Sequence, residues 1–165
     1  MKESIIQRNN KKYRLKWHKD INFNKLDNIT QVYGYIFDNK GKVLIVNPKS
    51  TWRLPGGHSE PEDKNFEGTL IREADEEADV DIKNIVPLGY IKVTPLDKNS
   101  TEIIHYLLRY VASIKSVKKQ TIDIAEGIIN DRKFIEVKNF SKYCPWGKMG
   151  EEILSEAVKL HKQND

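Results

Sequence analysis

Three glutamates, Glu73, Glu76 and Glu77, lie in the segment READEEAD, which holds five acidic residues among eight. Residues three and four apart share one face of an α-helix, so these carboxylates would project together. Glu73 and Glu77 form a like-charge pair that costs about 0.2–0.5 kcal/mol on an exposed helix. Converging carboxylates are oxygen ligands for a hard dication such as Mg²⁺, whose shell is completed by water and substrate phosphates. The segment is therefore a candidate cation site.

A solvated acidic helix face is the simpler explanation of READEEAD taken out of context. The context favours the cation site. The segment follows a strand-like WRLP and the turn Pro55-Gly56-Gly57, and glycines let the backbone approach a ligand closely. Arg72 begins the acidic segment and relieves only part of its repulsion.

Local patterns place the acidic segment on a helix of an α/β domain. A helix is predicted over about residues 65–78, with Leu70, Ala74 and Ala78 on a separate apolar face. A second, amphipathic helix is predicted over residues 147–162. Strands are predicted in KYRLKWH, QVYGYIFDNKGKVLIVN (two strands and a turn at 38–41), IVPLGYIKVTPL, STEIIHYLLRYVASI and, after a loop, TIDIAEGIINDRKFIEV. We therefore expect helices packed on a mixed sheet.

The size and composition of the chain fit a single domain spanning residues 1–165. It has 165 residues, of which 38% are hydrophobic and 32% charged, as in ordinary globular proteins. No apolar run approaches the roughly 18 residues that a membrane helix needs, and the first residues lack the apolar core of a signal peptide. The single cysteine, Cys144, excludes an internal disulfide. We expect a cytoplasmic protein with no membrane partner.

Charge is unevenly spread along a chain whose net charge is +4. Residues 1–20, a basic segment predicted to form a strand, hold seven basic residues and two acidic ones. Residues 57–82 hold ten acidic residues and two basic ones. An acidic block beside a glycine turn is unusual in a duplex-binding module, and scattered lysines usually form a solvated surface. A nucleic-acid partner is disfavoured without being ruled out, and the basic segment could also steer an anionic substrate.

The stretch from Gly57 to Val80 resembles the Nudix box. That box runs Gly, five residues, Glu, seven residues, Arg-Glu, an aliphatic residue, any residue, Glu-Glu, any residue, Gly and an aliphatic residue. READEEADV follows its second half, and the preceding LPGG is also typical of it. The box covers about a sixth of the chain. The resemblance implies a Nudix-like α/β/α sandwich with a mixed β-sheet.

Two positions depart from the box. The stretch between Gly57 and Arg72 is one residue longer than the pattern, so either Glu62 or Asp63 could serve as the loop acid. The late glycine is Asp79. A left-handed helix end suits glycine, and aspartate tolerates that conformation better than most residues. We expect Asp79 to end the helix in this way.

The resemblance implies hydrolysis within the pyrophosphate of a nucleoside diphosphate linked to another moiety, or of an NTP. Glu73, Glu76 and Glu77 would bind Mg²⁺, with Mn²⁺ as an alternative. A bound dication neutralises the diphosphate and lowers the pKa of water that attacks phosphorus. Arg72 would orient Glu73 or contact a phosphate oxygen.

The substrate contacts and the general base lie outside the acidic helix in this interpretation. The backbone at Gly56 and Gly57 would complete the site, and Arg53 either contacts substrate or faces solvent. In this family the base is a box glutamate or an acid on a later loop. Glu126 in DIAEGIIND is the first choice on that loop, and Asp123 is the second.

Two rival functions and two unknowns stay open. One rival is a Nudix-fold module that binds a nucleotide without cleaving it, although such modules tend to lose carboxylates that this chain retains. The other is removal of pyrophosphate from a 5′ RNA end, which the basic segment supports weakly. The expected partner is a small nucleotide-type diphosphate. The sequence identifies neither the substrate nor the oligomeric state, and a homodimer is an option because many relatives pair.

Overall fold

A mixed β-sheet forms the centre of the molecule. The computed structural model describes residues 3–124 and 127–164. Within these residues the strands are β1 (Glu3–Arg8), β2 (Lys11–His18), β3 (Ile29–Phe37), β4 (Val43–Asn47), β5 (Gly56–Gly57), β6 (Val80–Pro95), β7 (His105–Val117) and β8 (Asp131–Ile135). The helices are α1 (Phe66–Ala78), α2 (Phe140–Tyr143) and α3 (Gly147–Asn164), with 3-10 turns at Phe23–Lys25, Pro48–Ser50 and Val137–Asn139.

The strands lie in the order β1-β2-β6-β7-β3-β4-β8, and the short β5 pairs with β3. β3 and β7 run parallel, with Tyr33 beside Arg109. The other described neighbours are antiparallel. The mixed sheet expected from the sequence is therefore confirmed, and its parallel pair joins strands that are far apart in the chain.

Helices cover both faces of this sheet. The predicted apolar face of α1 is buried, and Leu70 packs in one core cluster with Val32 and Ile36 of β3. The opposite cluster joins Ile153 of α3 to Phe37 and other residues of the second face. The two cores give the α/β/α layering. No described helix is both long enough and apolar enough to cross a membrane.

Residues 1–20, predicted to form one strand, contain the antiparallel hairpin of β1 and β2, and α2 was not predicted. The other predicted elements differ from the observed ones mainly at their ends. α1 starts one residue after its cap, Asn65, whose side chain accepts a hydrogen bond from the backbone of Gly68. The last helix continues to Asn164, two residues beyond the predicted end. The strand predicted from residue 100 begins only at His105, and Glu102 before it accepts hydrogen bonds from Lys11 and Tyr13.

Candidate active site

A cavity of about 340 Å³ opens beside the carboxylate face of α1, next to β5 and the start of β3. Most of the side chains around it are charged or polar, which suits a charged ligand. The lining residues are Gln31, Arg53, Gly56, Gly57, His58, Glu60, Arg72, Glu73, Glu76, Glu77 and Asp123. The fold thus brings the predicted helix glutamates, arginines and glycines to one place.

The three helix glutamates meet at this cavity with graded exposure. The side chain of Glu77 is 6% exposed, that of Glu73 is 13% exposed and that of Glu76 is 40% exposed. Their common orientation follows from the helix period, because burial of Leu70 and Ala74 against the sheet turns the glutamate face towards the cavity. The predicted clustering of these carboxylates is therefore observed.

Burial disfavours the charged form of the two inner glutamates. Loss of hydration raises the pKa of Glu77 to about 7, although Arg53 and the backbone N–H of Gly56 oppose this. The Gly56 N–H donates to Oε2 of Glu77 at 3.0 Å, and Arg53 donates to its other oxygen. Burial also raises the pKa of Glu73. An added cation would stabilise both carboxylates.

Gly56 and Gly57 allow the chain to pass close to β3 and to the glutamates. Gly56 has a φ of +144°, and a Cβ there would lie 2.1 Å from the carbonyl oxygen of Val32. A Cβ on Gly57 would lie 2.3 Å from Oε1 of Glu73. A larger side chain at either position would therefore displace the strand or the carboxylate.

Arg72 links the acidic face to the preceding loop. One terminal nitrogen donates to Glu76 Oε2 at 2.9 Å and to Glu73 Oε1 at 3.2 Å. The other donates to the carbonyl oxygen of His58 at 2.8 Å. This guanidinium fixes the direction of two of the glutamates that line the cavity.

The NUDIX domain family model matches residues 28–149 of this sequence. The chain belongs to the Nudix family. The match confirms the predicted Nudix-type pyrophosphohydrolase and the Nudix α/β/α sandwich. No curated protein sequence matches the chain.

Solved structures share the Nudix fold at low sequence identity. The pyrophosphohydrolase BsRppH of Bacillus subtilis is 21% identical with a TM-score of 0.70, over 93% of this chain and 94% of that one. An ADP-ribose pyrophosphatase from Streptococcus suis is 16% identical with a TM-score of 0.52, over 80% and 90% of the two chains. The Ap4A hydrolase of C. elegans is 15% identical with a TM-score of 0.53, over 82% and 99%. These identities support the fold and leave the substrate open.

Asp63, and not Glu62, occupies the position of the loop acid in this Nudix box. Its two oxygens accept from Nε and Nη2 of Arg72 at 3.0 and 3.1 Å. The Arg72 hydrogen bonds hold the pKa of Asp63 at about 2, below the ordinary 3.8. Glu62 is exposed. With Asp63 in this position, the extra residue of the box lies between Asp63 and Arg72.

Of the two acids expected on the later loop, Asp123 lines the cavity and is 5% exposed. Its Oδ2 accepts from the side chain of Asn130 at 3.0 Å. Glu126, the first choice from the sequence, lies outside the described residues. Gln31 also lines the cavity, and sequence reasoning did not identify it because nothing local distinguishes it from other strand residues.

Arg53 lies inside the cavity wall of this Nudix domain, with 33% of its side chain exposed. Its Nη1 donates to the Gly56 carbonyl oxygen at 3.1 Å and to the Tyr33 hydroxyl at 3.3 Å. Its guanidinium also lies 5.8 Å from the centre of the Tyr33 ring. Of the two orientations left open by the sequence, the structure shows the one that faces the site.

The carboxylates of Glu73, Glu76 and Glu77 are oxygen donors that suit a divalent metal, although in this structure they bond arginines. Within residues 3–124 and 127–164 no three acidic, histidine or cysteine side chains are arranged to hold a metal ion. Glu76 is bonded to Arg72, and Glu77 to Arg53. A dication would replace part of this arginine pairing, and oxygen donors of this kind suit Mg²⁺ or Mn²⁺.

Proposed function

We propose that this chain is a Mg²⁺-dependent pyrophosphohydrolase that cleaves the P–O–P link of an NDP-linked compound or an NTP. The supporting observation is that Glu73, Glu76 and Glu77 share one cavity with two arginines and two glycines. Carboxylates alone would repel a diphosphate. The arrangement therefore suits a substrate that arrives together with a cation.

Glu73, Glu76 and Glu77 would hold the metal, with Mn²⁺ as an alternative to Mg²⁺. When bound, the dication would neutralise charge on the diphosphate and lower the pKa of a water molecule. The burial that raises the pKa of Glu73 and Glu77 supports this assignment, because positive charge beside them offsets their lost hydration.

The two arginines would position the reacting groups. Arg72 orients Glu73 and Glu76 through its hydrogen bonds, and it would contact a phosphate oxygen by exchanging one of these bonds. Arg53 also lines the cavity, where its guanidinium bonds Gly56 and Glu77. Planar guanidinium groups suit bidentate contact with phosphate oxygens. Gly56 and Gly57 line the same cavity, and their lack of side chains lets the strand pass close to Glu73.

Hydrolysis also needs a group that removes a proton from the attacking water. The water oxygen forms a bond to one phosphorus, the bridging P–O bond breaks, and the departing phosphate keeps the electron pair. The water proton passes to a carboxylate on the later loop. Asp123 lines the cavity, which supports it for this role, and Glu126 remains the other candidate on that loop.

The remainder of the substrate would extend across Gln31. This residue also lines a neighbouring cavity of about 330 Å³, whose apolar wall includes Tyr13, Leu15 and Leu107. Such a wall suits a nucleobase or ribose. The β1–β2 hairpin borders this cavity and contributes Arg8. Because the hairpin is basic, a 5′-phosphorylated RNA end is the second candidate substrate.

One substrate panel tests the proposal. NDP-linked compounds, NTPs and 5′-triphosphorylated RNA are incubated with Mg²⁺, with Mn²⁺ and with EDTA, and released phosphate and nucleotide are measured. Glu76→Gln is compared with Asp75→Asn, a matched control on the same helix whose exposed side chain pairs with Lys118. Binding of Mn²⁺ to each variant, measured by electron paramagnetic resonance, gives a readout independent of turnover.

We expect metal-dependent turnover of at least one panel member and none in EDTA. Glu76→Gln should lower kcat by about 100-fold or more and weaken Mn²⁺ binding, as losses at metal sites do. Asp75→Asn should match the wild type. Absence of turnover with either metal, or full activity of Glu76→Gln, would contradict the proposal. Nucleotide binding without turnover would identify a non-catalytic module.

A further inference from the structure

The residue that ends α1 occupies a conformation that normally favours glycine. Asp79 has φ and ψ of +49°, in the left-handed region. Its backbone N–H donates to the Asp75 carbonyl oxygen at 2.8 Å and closes the helix. Glycine would adopt this conformation without steric strain. The helix end by itself therefore does not explain an aspartate side chain.

The carboxylate of Asp79 has partners outside the helix. Its Oδ2 accepts from the backbone N–H of Thr121 at 2.9 Å, and its Oδ1 accepts from the Thr121 hydroxyl at 2.6 Å. Asp79 is 7% exposed, so water competes little for these bonds. Both carboxylate oxygens thus bind one residue of the segment that follows β7.

Further hydrogen bonds join the same two parts of the chain. The backbone N–H of Lys118 donates to the Asp79 carbonyl oxygen at 2.8 Å. Arg132 donates to the Asp79 carbonyl oxygen at 3.2 Å and to that of Lys118 at 2.8 Å. Several hydrogen bonds therefore join the end of α1 to the start of the segment after β7. Among them, the bonds from Thr121 to the Asp79 carboxylate lie farthest along that segment.

Thr121 is two residues before Asp123, the acid that lines the catalytic cavity. The segment turns back there, because the Asp123 N–H donates to the Ile128 carbonyl oxygen at 2.8 Å and the Gly127 N–H donates to the Asp123 carbonyl oxygen at 2.7 Å. Asn130 fixes the carboxylate from the other side of this turn. The bonds of Thr121 to Asp79 thus tie the chain to the end of α1 just before this turn.

We propose that Asp79 is a positioning residue that holds Thr121 and thereby keeps Asp123 at the cavity beside Glu73 and Glu77. Its catalytic consequence rests on the function proposed above. Because α1 carries the glutamates and is capped by Asp79, the glutamate face and Asp123 keep a fixed distance and orientation. A glycine at residue 79 would close the helix equally well and would not supply this anchor.

The test compares Asp79→Gly and Asp79→Asn with the wild type. Glycine relieves the backbone strain and removes the carboxylate, whereas asparagine keeps one oxygen acceptor for Thr121. Asp81→Asn is the matched control, since the Asp81 side chain bonds Ser116 and Lys118 and does not line the cavity. Amide hydrogen exchange is measured residue by residue in each metal-loaded protein, together with kcat, KM and the melting temperature.

Asp79→Gly should accelerate exchange of the Asp123 and Gly127 amides by about tenfold or more, because two hydrogen bonds to a carboxylate are lost. Exchange within α1 and the melting temperature should stay close to wild type. On an active substrate kcat should fall by about tenfold or more while KM changes little, since a displaced catalytic group affects the chemical step. Asp79→Asn should lie between the two, and Asp81→Asn should match the wild type.

Unchanged exchange at Asp123 in Asp79→Gly would overturn the anchoring role, whether or not the chain hydrolyses any tested compound. Faster exchange with unchanged kcat on an active substrate would overturn the catalytic consequence. If Asp79→Gly does not fold, Thr121→Val decides, since it removes the hydroxyl donor from an exposed residue. It should accelerate exchange at Asp123 by about threefold or more, and no acceleration would overturn the proposal.

Discussion

The two ends of α1 are each tied to a neighbouring loop by an aspartate, but the partners differ. At the start, Asp63 binds the guanidinium of Arg72, a charged group of the helix itself. At the end, Asp79 binds the neutral backbone N–H and hydroxyl of Thr121, which belongs to another part of the chain. The first contact is an ion pair. In the second, the buried Asp79 carboxylate accepts hydrogen bonds from two neutral donors.

Sequence separation is the other difference between these contacts. Asp63 and Arg72 are 9 residues apart, and Asp79 and Thr121 are 42 residues apart. The first contact forms within the loop-helix unit. The second requires β7 to lie in the sheet, because Thr121 follows that strand. The longer loop of the Nudix box is therefore accommodated by a contact within the loop and α1, whereas the Asp79 carboxylate finds its partner only in a distant part of the chain.

The largest effect is expected from breaking the ion pair at the start of α1. Arg72→Ala should lower the free energy of unfolding by about 3 kcal/mol, because it leaves Asp63, with 6% of its side chain exposed, without its counter-charge. Urea denaturation measures the change. Arg72→Lys is the control and should recover only part of the loss, since an ammonium group cannot bond both Asp63 oxygens as a planar fork does. A loss below about 1 kcal/mol for Arg72→Ala would mean that the pair behaves as a surface salt bridge.

A smaller effect is expected at the other end of the helix. Arg132→Ala should lower the free energy of unfolding by about 2 kcal/mol, because hydrogen bonds from a charged donor to the Ala78, Asp79 and Lys118 carbonyl oxygens are lost. Water can replace part of this, so the loss should be smaller than for Arg72→Ala. Urea denaturation measures this loss as well. A loss equal to or larger than that of Arg72→Ala would contradict the expectation that the ion pair at the start of the helix contributes more.

The last effect concerns the pH dependence of the first contact. Because the folded pKa of Asp63, about 2, is below its ordinary 3.8, the ionised pair stabilises the fold above pH 3.8. That stabilisation is lost as the pH falls towards 2. Asp63→Asn removes this proton linkage, so the stability advantage of the wild type should shrink over this range. Urea denaturation midpoints of the wild type and Asp63→Asn at several acidic pH values test this. A difference between them that does not change with pH would show that protonation of Asp63 does not affect stability.

The sequence predicted the elements well where the signal is local. The glutamate face of α1 follows from the helix period, and the observed helix covers Phe66–Ala78 against a prediction of about 65–78. The left-handed end at Asp79 was also expected from residue type and is observed. The sequence could not choose between Glu62 and Asp63, because that choice depends on which carboxyl the folded loop turns towards Arg72.

Residues brought to the site from distant strands carried no usable local signal. Gln31 reaches the cavity because β3 pairs there with Gly56–Gly57. Asp123 is only the second choice on its loop, and the bond from Asn130 that holds its carboxylate forms only in the folded loop. Side-chain chemistry alone does not distinguish such residues from ordinary solvated or strand residues.

Residue spacing alone is enough to indicate the glutamate face of α1, the glycine turn before it and the Nudix family, because each of these depends on one loop and one helix. Only the tertiary structure decided that Asp63 is the loop acid, that Arg53 and Glu77 meet, and that Asp79 reaches Thr121. Hydrogen bonds between distant residues form only after strand pairing has brought their backbones together. Their partners therefore cannot be read from either segment alone.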